Sequence, residues 1–544
     1  MSRYWKAALP FLLAAVIILA AASRPVVLHI GFPCDSYWNV PGENYYTFID
    51  AAIEKFEAEH PNVKVEYTSG IRVEEYTEWL SGQYLLGQEP DVMVILPEDF
   101  VIFSDTASLR ELDPFMKQDP EADLSGFYPA ALQAGADKGK QYALPLECVP
   151  QMMFINKTLL QKEHIRIPDN DWTWDEFYSL CEQLTRDTDG DGIVDQFGVY
   201  DYGWEEALVA NGCSLFSEDG QHCLLNQSAQ ESAMLFARQI YQLNAGTDLS
   251  DKTFDEGRVA FRPMLFSEYR SYEPYPWRIK RYSDFLWDCI PMPHGPAGCN
   301  SSELSTVLAG ISSRSENMTL AWQFLRELTA NADNQSMLFT DSHSVSALRS
   351  VTDSDETRRI LRQDTPGESQ SGVEMLSDVM EQAVAAPRFR NYDQALLFTE
   401  GLVQNAMEDE HNLSLQLQRV PASGAGIFTG ISSEKRRRSA LCLCDMHRQG
   451  AFSLQYLIIG MTFVIEKAGR LSQASHDKMQ ISCRIKSGIL CSTNRKEGTE
   501  NEIPDFSQPR HLCTGSAQRA RHDGRHATAR TFVRPACSTA WTLT

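Results

Sequence analysis

Nine residues hold the chain's densest run of metal-binding chemistry: Asp187-Thr-Asp189-Gly-Asp191-Gly192-Ile193-Val-Asp195. Carboxylates at loop positions 1, 3, 5 and 9, a backbone carbonyl at 7 and a Gly at 6 match the ligand spacing of a calcium loop. Asp187, Asp189, Asp191 and Asp195 would give side-chain oxygens and Ile193 its carbonyl, while Gly192 permits the sharp turn. Position 12 is Gly198 where a complete EF-hand has a bidentate Glu, so the loop would bind more weakly or borrow a ligand. The expectation is a structural Ca2+. The plain alternative is a metal-free Asp/Gly turn.

A second chemistry is spread over loops. Tyr37-Trp38-Asn39, Tyr200-Asp-Tyr-Gly-Trp204, the segment Phe266-Ser-Glu-Tyr269-Arg-Ser-Tyr272 and Trp277 set aromatic rings beside polar groups. Rings offer flat apolar faces to the CH side of a sugar, and Glu98, Asp99 and Glu147, at expected strand ends, could accept hydroxyl hydrogens. The expected carbohydrate-binding set is Tyr37, Trp38, Glu98, Asp99, Glu147, Trp204, Tyr269 and Trp277, led by Trp38 and Trp204. Singly, each aromatic is as well explained by packing, and Trp172, Trp174, Trp287 and Trp322 lie in segments that read as structural. Glu98 with Glu147 could instead serve a secreted glycoside hydrolase as acid and nucleophile or base, but nothing fixes their separation. No GxSxG, HExxH or P-loop pattern supports another reaction class, and no catalytic residue is assigned. Tyr45-Tyr46, before the first helix, is a poor start for an iron site.

The elements that must position these groups read as α/β. Residues 26–32 form a buried strand, 47–60 a helix stopped by Pro61, 63–67 a strand, 76–86 a helix and 90–96 a nearly continuous apolar strand. Such βαβ units make a parallel sheet, whose ligands sit beyond the strands' carboxyl ends, here residues 32–44 and 97–100. Further runs at 142–145, 149–155, 254–264, 285–290 and 306–311 read as strands, and 320–329 as an amphipathic helix.

A chain of 544 residues exceeds one hydrophobic core. The net charge of −24 is uneven: residues 421–544 hold 18 Lys and Arg against 9 Asp and Glu, and the remainder 31 against 64. An acidic body argues against nucleic-acid binding through that body. Arg3 and Lys6 precede an apolar run at 7–22 ending in Ala20-Ala21-Ala22, an export signal or a retained membrane anchor. No Cys precedes Cys34, so none is available for lipid attachment at the cleavage point. Seven irregularly spaced cysteines in residues 1–420 make neither a disulfide scaffold nor a zinc site, although Cys213 and Cys223 flank a turn. Cys442-Leu-Cys444 with His447 lacks a fourth zinc ligand, and the apolar stretch 451–465 is short for a membrane span.

Several motifs recur in a fixed order. They are Phe56-Glu-Ala-Glu-His-Pro61-Asn-Val-Lys-Val, Glu89-Pro-Asp-Val, Leu109-Arg-Glu-Leu-Asp-Pro114 and Tyr142-Ala-Leu-Pro145 with Phe154-Ile-Asn-Lys157. Trp174-Asp-Glu-Phe177, Glu256-Gly-Arg-Val-Ala260, Trp287-Asp-Cys-Ile-Pro-Met-Pro293 and Ala321-Trp-Gln-Phe-Leu325 follow. Through that order, over about 300 residues, the chain resembles the family 1 extracellular solute-binding proteins of ABC importers, whose best-known members bind maltose and other oligosaccharides.

The resemblance implies a two-lobed periplasmic-binding-protein-like fold (type II), with discontinuous lobes around a central ligand cleft. Residues 23–140 and 303–345 would form lobe 1, and 141–302 and 346–419 lobe 2. It also implies a monomer, exported to the periplasm or cell surface, that hands a carbohydrate to permease subunits. A surface adhesin for polymeric glycans is the other alternative. Residues 420–544 fall outside the resemblance and are expected to be a disordered basic tail.

Overall fold

The computed structural model of the chain describes residues 25–408, except Asn39, 41–44, Glu121, 245–246, Asp248, 273–284, 365–371 and Pro387. The chain divides into two units, Met1–Gln449 and Gly450–Thr544, and every described residue lies in the first. The export segment, Trp277, the Cys442 group, the 451–465 run and the basic tail lie outside the described residues.

Strand β1 (Val26–Gly31) opens the fold, and helix α1 (Tyr45–Glu59) follows. Tyr45, Phe48, Ile49, Ala52 and Phe56 recur at helical spacing and are the residues α1 buries. Pro61 cannot continue α1, and the chain turns into β2 (Val63–Tyr67). Helix α2 (Val73–Leu86) buries Tyr76 and Leu80 and ends on Gly87, whose φ of 67° only a residue without a Cβ adopts freely. Strand β3 (Val92–Ile95), buried throughout, leads into the short helix α3 (Phe100–Asp105). Strand β1 pairs in parallel with both β2 and β3, as the βαβ pattern demands.

After helix α4 (Pro129–Ala134) comes β4 (Ala143–Asn156), a single 14-residue strand where the sequence reads as two short runs. Pro145 and Pro150 make it look interrupted. The first lies where the register slips and the second where the pairing partners change, so neither breaks an inner ladder. At roughly 3.3 Å per residue β4 is about 45 Å long. Its first part pairs with β8 and its last part with β6 and β7.

The second half begins with helix α5 (Trp174–Leu184), capped by a reciprocal Thr173–Glu176 box. It continues through β5 (Phe197–Val199), α6 (Trp204–Ala210), α7 (Ser228–Leu243), β6 (Val259–Leu265), α8 (Phe266–Ser271) and β7 (Trp287–Ile290). Phe254, read as part of a strand, instead ends a short helix, Asp251–Asp255. Strand β8 (Leu304–Ile311) returns antiparallel between β3 and β4, and helices α9 (Met318–Thr329) and α10 (Ala332–Asp341) follow it. The sheet order is β2-β1-β3-β8-β4-β6-β5, with β7 also on β4.

Alternate residues of β4 feed two separate cores. Met152 and Phe154 join the one built around β1, β3 and β8, whereas Met153 and Ile155 join Trp172, Phe177 and Phe261 in the other. Residues 346–382, expected with the second lobe, fasten largely to the first. Tyr128 donates its backbone N–H to Ala347 (3.0 Å), Arg349 reaches the Ser125 carbonyl (2.8 Å), and Ser377 of α11 (Val373–Gln382) meets the Tyr128 hydroxyl (3.3 Å). Only α12 (Tyr392–Glu408) supplies the second core, through Ala395, Val403 and Ala406. All seven cysteines in the described residues are free, Cys213 and Cys223 included.

Gly198 of β5 packs directly on the backbone of Cys181 in α5. Gly198→Ala should therefore force the helix off the sheet and cost about 1–3 kcal/mol, read as a lower urea midpoint at unchanged slope.

Candidate functional site

The loops after β1 and β3 meet at the strands' carboxyl ends, as the topology requires. Tyr37 donates its hydroxyl to Glu98 Oε2 (3.0 Å), and its ring stands edge-on to Trp38 at 5.5 Å. Burial first, then the Glu98 charge, drives the Tyr37 phenol far above its ordinary pKa. Trp38 is only 6% exposed, and its Nε1 points to Ser305 Oγ on β8 (3.4 Å). Asp99 is buried against Thr77, whose hydroxyl lies 2.6 Å from Oδ2. Its carboxyl rises to about 7, chiefly by desolvation, with Glu98 and Asp393 adding negative field. Tyr37, Trp38, Glu98 and Asp99 thus form one wall.

A second aromatic–polar group is built on α6. Trp204 opens this helix and stays partly exposed, packed against the second core. Glu206 closes the first turn by accepting the Gly203 N–H (2.9 Å) and takes a second bond from Gln151 Nε2 (2.9 Å). Gln151 is the one residue of β4 that is not buried, and it marks where β4 leaves β8 for β6. Glu205 is solvent-accessible, yet its carboxyl is pushed up to about 8, first by desolvation and then by Glu206, Glu400 and Glu303. Glu303, just before β8, is raised for the same reasons and lowered by Arg388.

Arg388 acts on both groups through its charge. It lies over the Tyr392 ring at 5.0 Å and 4.0 Å from Asp393, and its field acts on Tyr37 as well as on Glu303. Glu205, Glu206, Glu303, Gln151, Arg388 and Tyr392 were not among the residues expected from sequence. The adjacency of Trp204 to two carboxylates was a usable signal for the first pair. Nothing local marks the others, because the fold assembles them from three distant segments.

Three expected residues fall elsewhere. Tyr269 is 3% exposed and belongs to the core, stacked on Phe266 at 5.6 Å, with its hydroxyl 3.5 Å from Asp288. Trp277 lies outside the described residues. Glu147 has no exposed surface: it receives the Tyr45 hydroxyl on one oxygen and the Ser342 hydroxyl (2.9 Å) on the other. The register slips by one residue at Leu146 of β4, a bulge between the Glu147–Val307 and Pro145–Leu308 pairs, and Glu147 lies inside the protein. It presents no face to a substrate and cannot pair with Glu98 as a hydrolytic couple. The four tryptophans read as structural are buried, Trp172 and Trp174 donating to Pro291 O (2.8 Å) and the Tyr202 hydroxyl (3.2 Å).

The aspartate loop closes between α5 and β5. Oxygens of Asp187, Asp189 and Asp191 lie within 4.8 Å of one another. Asp187 accepts the N–H groups of Gly190 and Gly192 (both 2.7 Å), which hold its carboxyl below the usual range. Asp195 stands apart from that trio, since both its oxygens are taken by the Thr188 N–H (2.8 Å) and hydroxyl (2.7 Å).

Burial raises the Glu147 carboxyl to about 7, with the Ser342 and Ser344 hydroxyls opposing. The unfolded value is near 4.3, so the folded state holds the extra proton between these limits and stability falls as pH rises through them. Glu147→Gln keeps one acceptor oxygen, offers its Nε2–H as a donor to the other hydroxyl oxygen, and removes the titration. It should flatten the stability profile between about pH 4.5 and 7 and gain up to about 3 kcal/mol at pH 8, measured by urea unfolding across pH.

A family model described as "Bacterial extracellular solute-binding protein" matches residues 51–360. An uncharacterized lipoprotein of Streptomyces antibioticus is 25% identical over 283 residues, 45% of this chain and 55% of the relative. The chain thus spans about half the length of that curated relative. Among solved structures, the cyclic α-maltosyl-1,6-maltose binding protein of Arthrobacter globiformis superposes with a TM-score of 0.60 at 15% identity, covering 72% of this chain and 96% of that one. The sugar-binding protein MalE of Xanthomonas citri gives 0.60 at 14% identity, covering 76% and 99%. These likenesses establish the two-lobed α/β fold.

Proposed function

Because the chain belongs to the bacterial extracellular solute-binding proteins, we propose that it captures a saccharide between its lobes and delivers it to an ABC permease. The observation that carries this reading is the cluster Tyr37-Trp38 with Glu98 beyond the carboxyl ends of β1 and β3, taken with Trp204 and with Glu206, which Gln151 joins to β4. Ring faces and fixed acceptors are what a pyranose needs. The superposed proteins, a maltosyl-maltose binder and a sugar binder, support the same class. A ligand touching both walls favours the closed state by its differential affinity, and the permease reads that closed surface. The ligand leaves unchanged, as the capturing role of the family requires. The protein works outside the cytoplasm as a monomer, released or held at the surface by its N-terminal segment. The lipoprotein relative supports surface attachment. No helix among the described residues is long and apolar enough to cross a membrane.

Saturation with a bound oligosaccharide should raise the melting temperature and reduce the radius of gyration in small-angle scattering. Turnover of the sugar by chromatography would sink the binding reading. Trp204→Ala should weaken binding by about 2 kcal/mol or more in calorimetry and leave the fold intact, since the ring is partly exposed.

We also propose that Asp187, Asp189 and Asp191 hold Ca2+ as a brace between α5 and β5, the clustered oxygens being hard donors suited to that ion. Ca2+ should then raise the melting temperature relative to chelator, and Asp187→Asn with Asp189→Asn should abolish that gain without changing saccharide affinity.

A further inference from the structure

We infer that Cys213 and Cys299 join as a disulfide once the chain has left the cytoplasm, fixing helix α6 to the connection that runs into β8. The bond belongs to the scaffold and is independent of which ligand the cleft takes.

Seven thiols lie among the described residues, and four of them, Cys148, Cys181, Cys223 and Cys289, are buried. Of the three that reach the surface, Cys34 belongs to the loop after β1, while Cys213 and Cys299 lie at one end of α6. Gly212, at a φ of 65°, turns the chain back there, so that the Cys213 N–H donates to the Leu208 carbonyl (2.9 Å). Residues 295–301 wrap the same turn. The Gly295 N–H donates to Ala210 O (3.0 Å), the Ala297 N–H to Asn211 Oδ1 (3.0 Å) and the Ser301 hydroxyl to Val209 O (3.2 Å). Between those ties the two backbones touch: a Cβ on Gly212 would stand 3.5 Å from the Gly298 Cα, and one on Gly298 2.7 Å from the Gly212 nitrogen. Each of these glycines is followed directly by its cysteine. A disulfide needs Cα atoms about 4.4–6.8 Å apart, a spacing that the successors of two touching residues reach with little backbone movement. Cys223 is the nearer thiol in sequence, but it is buried and bridges Phe216, three residues past Cys213.

Outside the cytoplasm thiols meet oxidising disulfides, and bonds of this kind persist there. Cys299 is exposed and reacts first. Its thiolate attacks an external disulfide, an oxidised dithiol protein or a small disulfide, and expels one of that reagent's sulfurs as a thiol. Cys213 is half-buried, with Sγ 3.3 Å from the Asn211 carbonyl, and burial pushes its thiol up, which suits it to the second step. It gives up its proton and attacks the Cys299 sulfur, and the reagent's other sulfur leaves. Two electrons and two protons have then passed from the cysteines to the reagent. The closed loop takes in α7, β6, α8 and β7, so the bond restricts the unfolded chain over much of the second half.

The test treats the purified full chain with oxidised glutathione or with a reductant, alkylates free thiols under denaturing conditions, and maps peptides by mass without further reduction. The oxidised sample should give a peptide pair linking Cys213 to Cys299, with neither residue alkylated. Its urea midpoint should exceed that of the reduced sample, and Cys299→Ser should remove the difference while leaving Cys213 open to alkylation. Alkylation of both residues in the oxidised sample overturns the proposal. So does linkage of either to another cysteine, or glutathione retained on Cys299 without closure. The wild-type map decides the matter even where the variant fails to fold.

Discussion

One strand serves two lobes, and most of the molecule follows from that constraint. Strand β4 enters as part of the first sheet half and leaves as part of the second, so its backbone groups are paired along almost its whole length by β8 and then by β6 and β7. A strand buried on both faces must be apolar or fully satisfied, and Glu147, the charged exception, is locked by Tyr45 and Ser342 from two other segments. Arg270 of α8 adds a second buried tie by donating to the carbonyls of Phe339 (2.6 Å) and Ser344 (3.2 Å). The Glu147 clasp lies within the first half, and the Arg270 clasp joins the second half to it.

Desolvation raises the carboxyls of Asp99, Glu205 and Glu303, and in each case a neighbouring carboxylate adds to the rise. Asp99 differs in that its carboxyl is spent on Thr77. Tyr37 behaves similarly toward Glu98, so the first wall arrives largely preorganised.

Local patterns carried much of the fold. The apolar spacing of α1, the Pro61 stop and the unbroken β3 are each decided by neighbours in sequence, and the structure has them within a few residues. Assembly across distance was less legible. The inward place of Glu147 depends on how β8 lies on β4, and a strand-end position in sequence looks the same whether its side chain faces solvent or core. Tyr269 misleads for the same reason, as an aromatic beside polar residues whose ring is claimed by Phe266 and Phe154. Residues 346–382 were assigned by analogy of order alone, whereas Arg349 and Tyr128 decide where they pack.

Gln151 has a consequence for how such a protein diversifies. Every other residue of β4 is buried, so the strand offers selection a single adjustable side chain. Exchanging it alters what the strand donates or accepts without opening a cavity on either side. New ligand preferences can therefore arise at that position at little risk to folding, while thirteen neighbours in the same strand remain effectively frozen.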